Sequence, residues 1–316
     1  MLEYHIKDIS VLEKEEDSEY KGKHFTLKYG SYLGDVLTQL PSGRIDKRET
    51  GIGATHLELQ CKRNSIIVQP LKVTAETKAK GKDGIKYFGD IEGAPMTIGK
   101  LLGTEKETKL IQYIKDDSYE FKKISIVADN LPKLINILVE LGIDVYNEYF
   151  LLIDEIDSIQ KDSSFRGRMN ACMEIYKKFN KKNRAVISAT LIDFSDPEIV
   201  NDPLTVFQYT EHIKGHVDII HTTTLLETSI EKIISALSTG EKLLVAINSL
   251  KDIQTIAHNL NKESILSYDE ITVLCGSNKD NKEKIKKFRS ASITDNQLPN
   301  KLNFITSAFF TGYDLY

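Results

Sequence analysis

The sequence predicts two α/β domains in tandem, each built around a mostly parallel β-sheet. Short, continuous apolar runs, which are typical of strands buried on both faces, alternate with segments of helical pattern. Strands separated by helices favour a parallel sheet. This alternation of strands and helices is interrupted once, in the polar stretch 193–216 that contains Pro197 and Pro203, and it resumes afterwards.

Length and composition are those of an ordinary soluble protein. The chain has 316 residues, 41% of them hydrophobic and 28% charged, and its net charge of −4 indicates no general nucleic-acid-binding surface. Cys61, Cys172 and Cys275 form no CxxC pair, which argues against a zinc site or a disulfide framework. Since the sequence contains no secretory signal and no apolar run of about 20 residues, we expect a cytoplasmic protein without membrane contact.

The first domain is expected over residues 25–200, after an N-terminal extension of residues 1–24. Its four predicted strands are NSIIVQP (64–70), KISIVADN (123–130), YFLLIDEID (149–157) and RAVISAT (184–190). The segment LPKLINILVELG (131–142) is predicted to be a helix between two of them.

The second domain is expected over residues 217–316, after a linker of residues 201–216. Its predicted strands are VDIIHT (217–222), KLLVAINS (242–249), ITVLCGS (271–277) and LNFITSA (302–308). Its predicted helices are 225–240, closed by Gly240, together with 250–261 and 281–290.

The strongest chemical motif is FLLIDEIDS, in which an apolar run ends in Asp154 and Glu155. Ligands of parallel sheets bind at the carboxyl ends of strands. There, Asp154 could hold a magnesium ion and Glu155 could position or deprotonate an attacking water. The alternative is a helix cap, which would explain one acid after a strand but not two adjacent acids and the motif that follows.

That following motif is ISAT, in which Ser188 and Thr190 end another predicted strand. Their hydroxyl groups could hydrogen-bond a neighbouring loop and link a hydrolysis site to the rest of the molecule. Serine and threonine commonly end strands and cap turns, so the motif is informative only because it follows DEID.

The stretch RETGIGATHLELQ (48–60) resembles a phosphate-binding loop that leads into a helix. Against the pattern GxxxxGK[ST], Gly53 and Thr55 match, whereas Arg48 replaces the first glycine and Ala54 replaces the lysine. The backbone N–H groups of such a loop need glycine rather than lysine. The missing charge would have to come from elsewhere, with Lys47 as the first candidate.

Three further lysines, Lys72, Lys78 and Lys80, follow the next predicted strand and are other candidates for that charge. The loop alone would favour an ordinary glycine turn. Together with DEID and SAT downstream, it indicates a modified phosphate-binding loop.

In this order the motifs resemble those of the superfamily 2 (DEAD/DEAH-like) helicase and translocase core, which has two RecA-like P-loop NTPase domains. TGIGAT resembles motif I, SIIVQPLKVTAETKAK motif Ia, LLIDEID motif II, ISAT motif III, LLVAINSLKDIQTIAHNL motif IV and FITSAFFTGYDL motif V. The resemblance covers roughly residues 40–316.

This resemblance implies an ATP hydrolase that binds ATP with Mg²⁺ between its two domains and acts on nucleic acid. The implied nucleotide-binding residues are Lys47, Thr50, Gly51, Ile52, Gly53, Ala54 and Thr55. Thr55 and Asp154 would hold the metal, Asp154 and Glu155 would be catalytic, and Ser188 and Thr190 would couple the site to nucleic acid. Pro70, Lys72, Thr306 and Ser307 would contact the nucleic acid, and Gly312 and Asp314 match motif V.

Two departures from the family pattern matter: the lysine of motif I is replaced by Ala54, and no motif VI with its arginines follows before Tyr316. The second domain is therefore expected to be incomplete, and the chain is interpreted as a fragment or a shortened relative. Hydrolysis would then depend on a complete second domain, because arginine stabilises the transition state of phosphoryl transfer.

Three functions remain open from the sequence. The first is an ATP-dependent helicase or translocase core. The second is a helicase-fold module that binds nucleic acid without turnover, and the third is a P-loop DNA motor ATPase outside the helicases. DNA is favoured over RNA as the partner, with replication or mobile-element proteins as further candidate partners. The basic segment 76–90 is a candidate strand-contacting loop.

Overall fold

The computed structural model describes residues 12–15, 22–70, 96–98, 104–162, 167–211, 217–276, 279–289 and 297–307. The chain divides into two compact units, Met1–Lys214 and Gly215–Tyr316. Each unit contains one β-sheet in which parallel pairing dominates. The predicted α/β class with mostly parallel sheets is therefore confirmed.

The sheet of the first unit has nine strands among the described residues. They are β1 (Leu12–Glu15), β2 (Gly22–Leu27), β3 (Gly43–Asp46), β4 (Asn64–Gln69), β5 (Met96–Ile98), β6 (Lys123–Val127), β7 (Tyr149–Asp154), β8 (Arg184–Ser188) and β9 (Leu204–Tyr209). Their order is β1-β2-β9-β3-β8-β7-β4-β6-β5. β1 is antiparallel to β2, and the other neighbouring strands are parallel.

The helices described in this unit mostly connect successive strands. They are α1 (Leu33–Val36), α2 (Ala54–Gln60), α3 (Thr104–Lys115), α4 (Leu131–Glu140), α5 (Val145–Glu148), α6 (Ile156–Asp162), α7 (Gly167–Lys178) and α8 (Pro197–Val200). In α4 a proline lies in the first turn, and Leu131, Leu134, Ile135 and Leu138 are buried at helical spacing. This apolar stripe fixes the helix against the sheet.

Both faces of the first sheet are covered, as the continuous apolar runs predicted. In β7, Leu151 and Ile153 belong to one hydrophobic cluster, which includes buried residues of α4 and α7. Phe150 and Leu152 belong to the other cluster, which includes buried residues of α1 and α2. Alternate side chains of one strand therefore enter different cores.

The boundaries expected for the first domain differ from the structure in two places. The expected linker 201–216 contains β9, which pairs with β2 and β3 inside the first sheet. The expected N-terminal extension 1–24 contains β1 and the start of β2. Sequence pattern missed β2 and β9 because each contains polar residues that disguise a buried strand, such as His24 and Thr205, which are 4% and 0% exposed.

The second unit has a three-stranded parallel sheet among its described residues. Its strands are β10 (Leu243–Ala246), β11 (Ile271–Leu274) and β12 (Leu302–Ile305), in the order β10-β12-β11. Its helices are α9 (Leu225–Leu237), α10 (Leu250–Lys262) and α11 (Lys279–Lys284). The core of this unit is formed by apolar residues from α10, β11 and β12, together with Ile233 of α9, Leu266 and Phe288.

One predicted strand of this unit, 217–222, is wrong. These residues form neither helix nor strand, and Val217 and Ile219 are each 79% exposed. An apolar run becomes a strand only beside a neighbour, and no strand among the described residues pairs with this one. The helix predicted over 281–290 is also shorter, since α11 ends at Lys284. None of the helices that the structure describes has the length and apolar character needed to cross a membrane.

Candidate functional site

Three strands of the first sheet direct polar side chains to the same face at their carboxyl ends. Side chains alternate along a strand, so residues two apart share a face. Ile45, Ile67 and Leu152 lie in the cluster that includes the buried residues of α2. Lys47, Gln69 and Asp154 therefore continue that face from β3, β4 and β7, where each apolar strand gives way to a polar residue.

Asp154 is the centre of this arrangement and is 1% exposed. One carboxylate oxygen, Oδ2, accepts hydrogen bonds from Thr55 Oγ1 at 2.6 Å and from Gln69 Nε2 at 3.1 Å. The other, Oδ1, accepts from the backbone N–H of Glu155 at 3.1 Å. The β7 strand thus presents a fully oriented carboxylate to the first turn of α2.

Lys47 supplies a buried cation to this carboxylate pair. Its ammonium lies 2.7 Å from Glu155 Oε1 and 3.8 Å from Asp154 Oδ1, and the residue is 6% exposed. Lys47 follows β3, and β8 lies between β3 and β7 in the sheet. The Lys47 side chain therefore reaches across two strand spacings, which together are about 10 Å. Only a long side chain can bridge this distance.

Charge and burial set the protonation of these groups. Burial by itself lowers the pKa of Lys47, but the attraction of Asp154 and Glu155 outweighs it, so the pKa of Lys47 is raised. Burial and the neighbouring Asp154 raise the pKa of Glu155, while Lys47 opposes that shift. The site therefore combines a firmly protonated lysine with a glutamate that is unusually easy to protonate, as a general base requires.

The backbone is strained at both ends of the ion pair between Lys47 and Glu155. Arg48 and Glu155 have φ values of 47° and 50°, in the left-handed region that side chains other than glycine seldom adopt. Such strain costs of order 1–3 kcal/mol per residue and concentrates at functional sites. Arg48 stands where the family pattern has its first glycine, and its backbone takes the conformation that glycine favours.

The predicted phosphate loop lies between β3 and α2. Gly51 and Gly53 have φ values of 74° and 80°, and Gly53 immediately precedes α2. Thr50 and Ile52 complete the turn, and the Ile52 carbonyl accepts a hydrogen bond from Leu33 at the start of α1. Ala54 is 4% exposed and belongs to the core, so its position holds a packed methyl group where the family has a charged side chain.

The DEID and ISAT motifs meet on the opposite face. Asp157, in the first turn of α6, accepts hydrogen bonds from Ser188 Oγ at 2.6 Å and from Thr190 Oγ1 at 2.9 Å. The backbone also connects them to the phosphate loop, because the N–H of Lys47 donates to the carbonyl of Ser188 at 2.9 Å. The structure therefore brings motifs II and III and the predicted loop together.

The residues predicted to contact nucleic acid belong to both units. Pro70 is buried at the end of β4, and Thr306 is 7% exposed beyond β12. Ser307 is bound through its N–H and its hydroxyl to the Asn248 side chain. Lys72, Gly312 and Asp314 lie outside the described residues, as do Lys78, Lys80 and the segment 76–90.

Sequence reasoning missed two sets of residues beside the loop. Gln69 contacts Asp154, and its signal was a polar residue at the end of an apolar strand. Tyr29, Tyr32 and Tyr209 form an aromatic surface: the rings of Tyr29 and Tyr209 are 5.5 Å apart, and a Cβ on Gly53 would lie 3.3 Å from Tyr32 Cδ1. Tyr29 and Tyr32 are about half exposed.

These residues fit a magnesium–nucleotide complex. Mg²⁺ takes oxygen ligands and is commonly held by one or two protein side chains together with phosphates and water. Thr55 and Asp154 provide two such oxygens in direct contact. Among the described residues no group of three or more histidine, cysteine or acidic side chains is placed to hold a metal ion.

The fold matches solved helicase structures. The helicase Lhr from Mycobacterium smegmatis, solved with single-stranded DNA and AMP-PNP, has a TM-score of 0.51 with this chain at 12% identity. The match covers 87% of this chain and 38% of Lhr. This chain therefore shares the fold of the matched part of the Lhr structure.

Two further structures match this chain less closely. Dbp5 from S. cerevisiae, bound to RNA and ADP BeF3, has a TM-score of 0.47 at 15% identity over 85% of this chain and 66% of its own. Mss116p, bound to single-stranded RNA and AMP-PNP, has a TM-score of 0.48 at 15% identity over 87% and 58%. The chain thus spans about two fifths to two thirds of the length of these proteins. No protein-family model and no curated protein matches it.

Proposed function

We propose that the chain is the core of an ATP-dependent nucleic-acid helicase or translocase in which Lys47 replaces the lysine absent from position 54. The observation that carries the proposal is the contact of the Lys47 ammonium with Glu155 and Asp154, beside Thr55. A buried cation, a hydroxyl and two carboxylates in this arrangement suit a triphosphate with magnesium.

Each side chain then has a role. Thr55 and Asp154 hold the magnesium ion, which when bound neutralises phosphate charge. Lys47 binds the phosphates, and the backbone N–H groups of residues 50–55 line the loop around them. Glu155 orients the attacking water and takes its proton, for which its raised pKa suits it.

The aromatic surface of Tyr29, Tyr32 and Tyr209 fits the base of the nucleotide. It lies beside the loop, because Tyr32 Cδ1 is 3.3 Å from the position that a Cβ on Gly53 would take, and Tyr29 and Tyr32 remain exposed for stacking. The proposal that the partner is nucleic acid, with DNA favoured over RNA, rests on the helicase-like fold and on the motifs in the sequence. Coupling would run through Asp157, which binds Ser188 and Thr190.

The decisive experiment is calorimetric titration of the chain with Mg·ATP. We expect binding by the native chain, and about tenfold to a hundredfold weaker binding by Lys47→Met, because a charge-assisted contact to phosphate is lost. Lys62→Met, which changes an exposed lysine just beyond α2, is the matched control and should bind as the native chain does. Native-like binding by Lys47→Met would refute the assignment of Lys47, and no binding by the native chain would refute the proposed function.

A further inference from the structure

Gln69 is a buried polar residue for which the motifs assign no role. It ends β4 and is 0% exposed. Its amide nitrogen donates to Asp154 Oδ2 at 3.1 Å, whereas its carbonyl oxygen Oε1 has no hydrogen-bond partner among the described residues. A buried acceptor without a donor is costly and calls for an explanation.

The position of Gln69 follows from the strand pattern. Ser65, Ile67 and Gln69 share one face of β4, and β4 pairs with β7 so that Val68 lies opposite Ile153. The side chain of Gln69 therefore arrives beside Asp154 on the face of α2. A one-residue shift of either strand would turn it to the opposite core.

We propose that Gln69 is a positioning residue for the magnesium-binding carboxylate of Asp154, and that its free carbonyl accepts a hydrogen bond from water when the site is loaded. This inference rests on the proposed function. Thr55 and Gln69 each donate one hydrogen bond to Asp154 Oδ2, and together they fix the plane of the Asp154 carboxylate. Groups that orient metal ligands in this way contribute strongly to metal affinity.

A purely structural role would have a different consequence. If Gln69 only satisfied a buried acid, its loss would destabilise the fold and weaken every ligand of the site alike. If it positions Asp154 for magnesium, its loss weakens only the part of the nucleotide affinity that depends on the metal. ATP affinity measured with and without magnesium separates the two roles.

The test compares the native chain with Gln69→Met, which is similar in length but has no amide. ATP affinity is measured by calorimetry in excess Mg²⁺ and again in excess EDTA, and thermal unfolding is recorded for both proteins. We expect roughly 10- to 100-fold weaker binding in magnesium and unchanged binding in EDTA. Gln254→Leu is the control, because its amide binds a backbone carbonyl in the second unit.

Gln69→Asn provides a second variant in case the methionine disturbs folding. It keeps an amide but withdraws it from Asp154 by one methylene group, so the same magnesium-specific loss is expected. Equal losses with and without magnesium, or no loss, in a variant that folds would overturn the inference while leaving the proposed function intact. Failure of the native chain to bind ATP at all would overturn both.

Discussion

The Lys47 ammonium lies 2.7 Å from a carboxylate oxygen of Glu155, although 107 residues separate the two positions in the sequence. Two adjacent acids at a buried strand end would repel each other and resist burial without a cation. Lys47 supplies that cation in the folded chain. Lys47, which follows β3, thus places beside the two acids the positive charge that position 54 lacks.

Moving the positive charge from position 47 to position 54 tests whether Mg·ATP affinity depends on where the charge comes from. In the background of Lys47→Met, we expect Ala54→Lys to restore part of the lost Mg·ATP affinity, since it returns a cation to the family position. Recovery should be incomplete, because Ala54 is packed in the core and a longer side chain must displace neighbours. Calorimetry of the native, single and double variants measures this, and an unchanged affinity in the double variant contradicts it.

Replacing the proposed base should separate binding from turnover. Glu155→Gln keeps the shape of the side chain but cannot accept a proton from water, so ATP hydrolysis should fall by roughly 10²- to 10⁴-fold while Mg·ATP binding persists. Phosphate release and calorimetry measure the two quantities. Glu140→Gln, at an exposed position of α4, is the control. In a longer form of the protein that hydrolyses ATP, equal hydrolysis with and without the Glu155→Gln change would show that the DEID motif is misassigned.

Replacing Gly53, which precedes α2, with alanine should destabilise the fold for two reasons. Gly53→Ala places a side chain at φ 80°, and its Cβ would lie 3.3 Å from Tyr32 Cδ1. Gly30→Ala is a matched control, with φ 84° and no atom within 4 Å of the new Cβ. We expect each variant to lose about 1–2 kcal/mol from the backbone alone.

The contact with Tyr32 should make the loss larger for Gly53→Ala in chemical denaturation. Adding Tyr32→Ala to Gly53→Ala should then remove the difference from Gly30→Ala. If Gly53→Ala and Gly30→Ala are equally stable, the Tyr32 ring moves aside at little cost, and its contact with the new Cβ does not constrain the loop.

A buried ion pair at the opposite end of the strands predicts a pH dependence. Glu58 is fully buried and paired with Arg63. Ser65 Oγ donates to a carboxylate oxygen of Glu58, and the Lys123 ammonium donates to Ser65 Oγ and to the backbone carbonyl of Glu58. Burial by itself raises the pKa of Glu58, but Arg63 outweighs it and the pKa is lowered below its ordinary value of 4.5. Its stabilising contribution is therefore complete above pH 4.5 and disappears as the pH falls through the lower, folded value.

Glu58→Gln should lose about 3–5 kcal/mol of unfolding free energy at neutral pH, as expected when one partner of a buried pair is removed. Urea denaturation from pH 7 down to acid should show the difference from the native chain shrinking below pH 4.5. Glu140→Gln should show no such trend. A difference that is constant with pH would mean that Glu58 is not ionised in the folded protein.

Binding of single-stranded nucleic acid should weaken steeply with salt. Phosphate contacts release counterions, and the logarithm of the affinity falls by about 0.7 per contact for each tenfold rise in salt. Fluorescence anisotropy with DNA and RNA oligonucleotides at several salt concentrations gives the slope and the preferred partner. A slope near zero, or no binding of either oligonucleotide, contradicts the proposed partner.

The sequence by itself determined the class of fold and the order of the main elements of the site. The strand runs before Gln69, Asp154 and Ser188 are apolar on both faces, and this signal is local, so their strands could be predicted. The sequence also predicted that the hydroxyl group of Ser188 could hydrogen-bond a neighbouring loop, but only the structure identifies Asp157 as its partner.

Only the tertiary structure decided which distant residues complete the site. Sequence pattern gave Lys47 no more than proximity to a glycine loop, and its contact with Glu155 depends on β3 lying two strands from β7. The same dependence on neighbours explains the errors: β9 is a strand because β2 and β3 flank it, whereas residues 217–222 have the apolar pattern of a strand but no described strand beside them. Strand pairing is non-local, so composition along the chain cannot determine it.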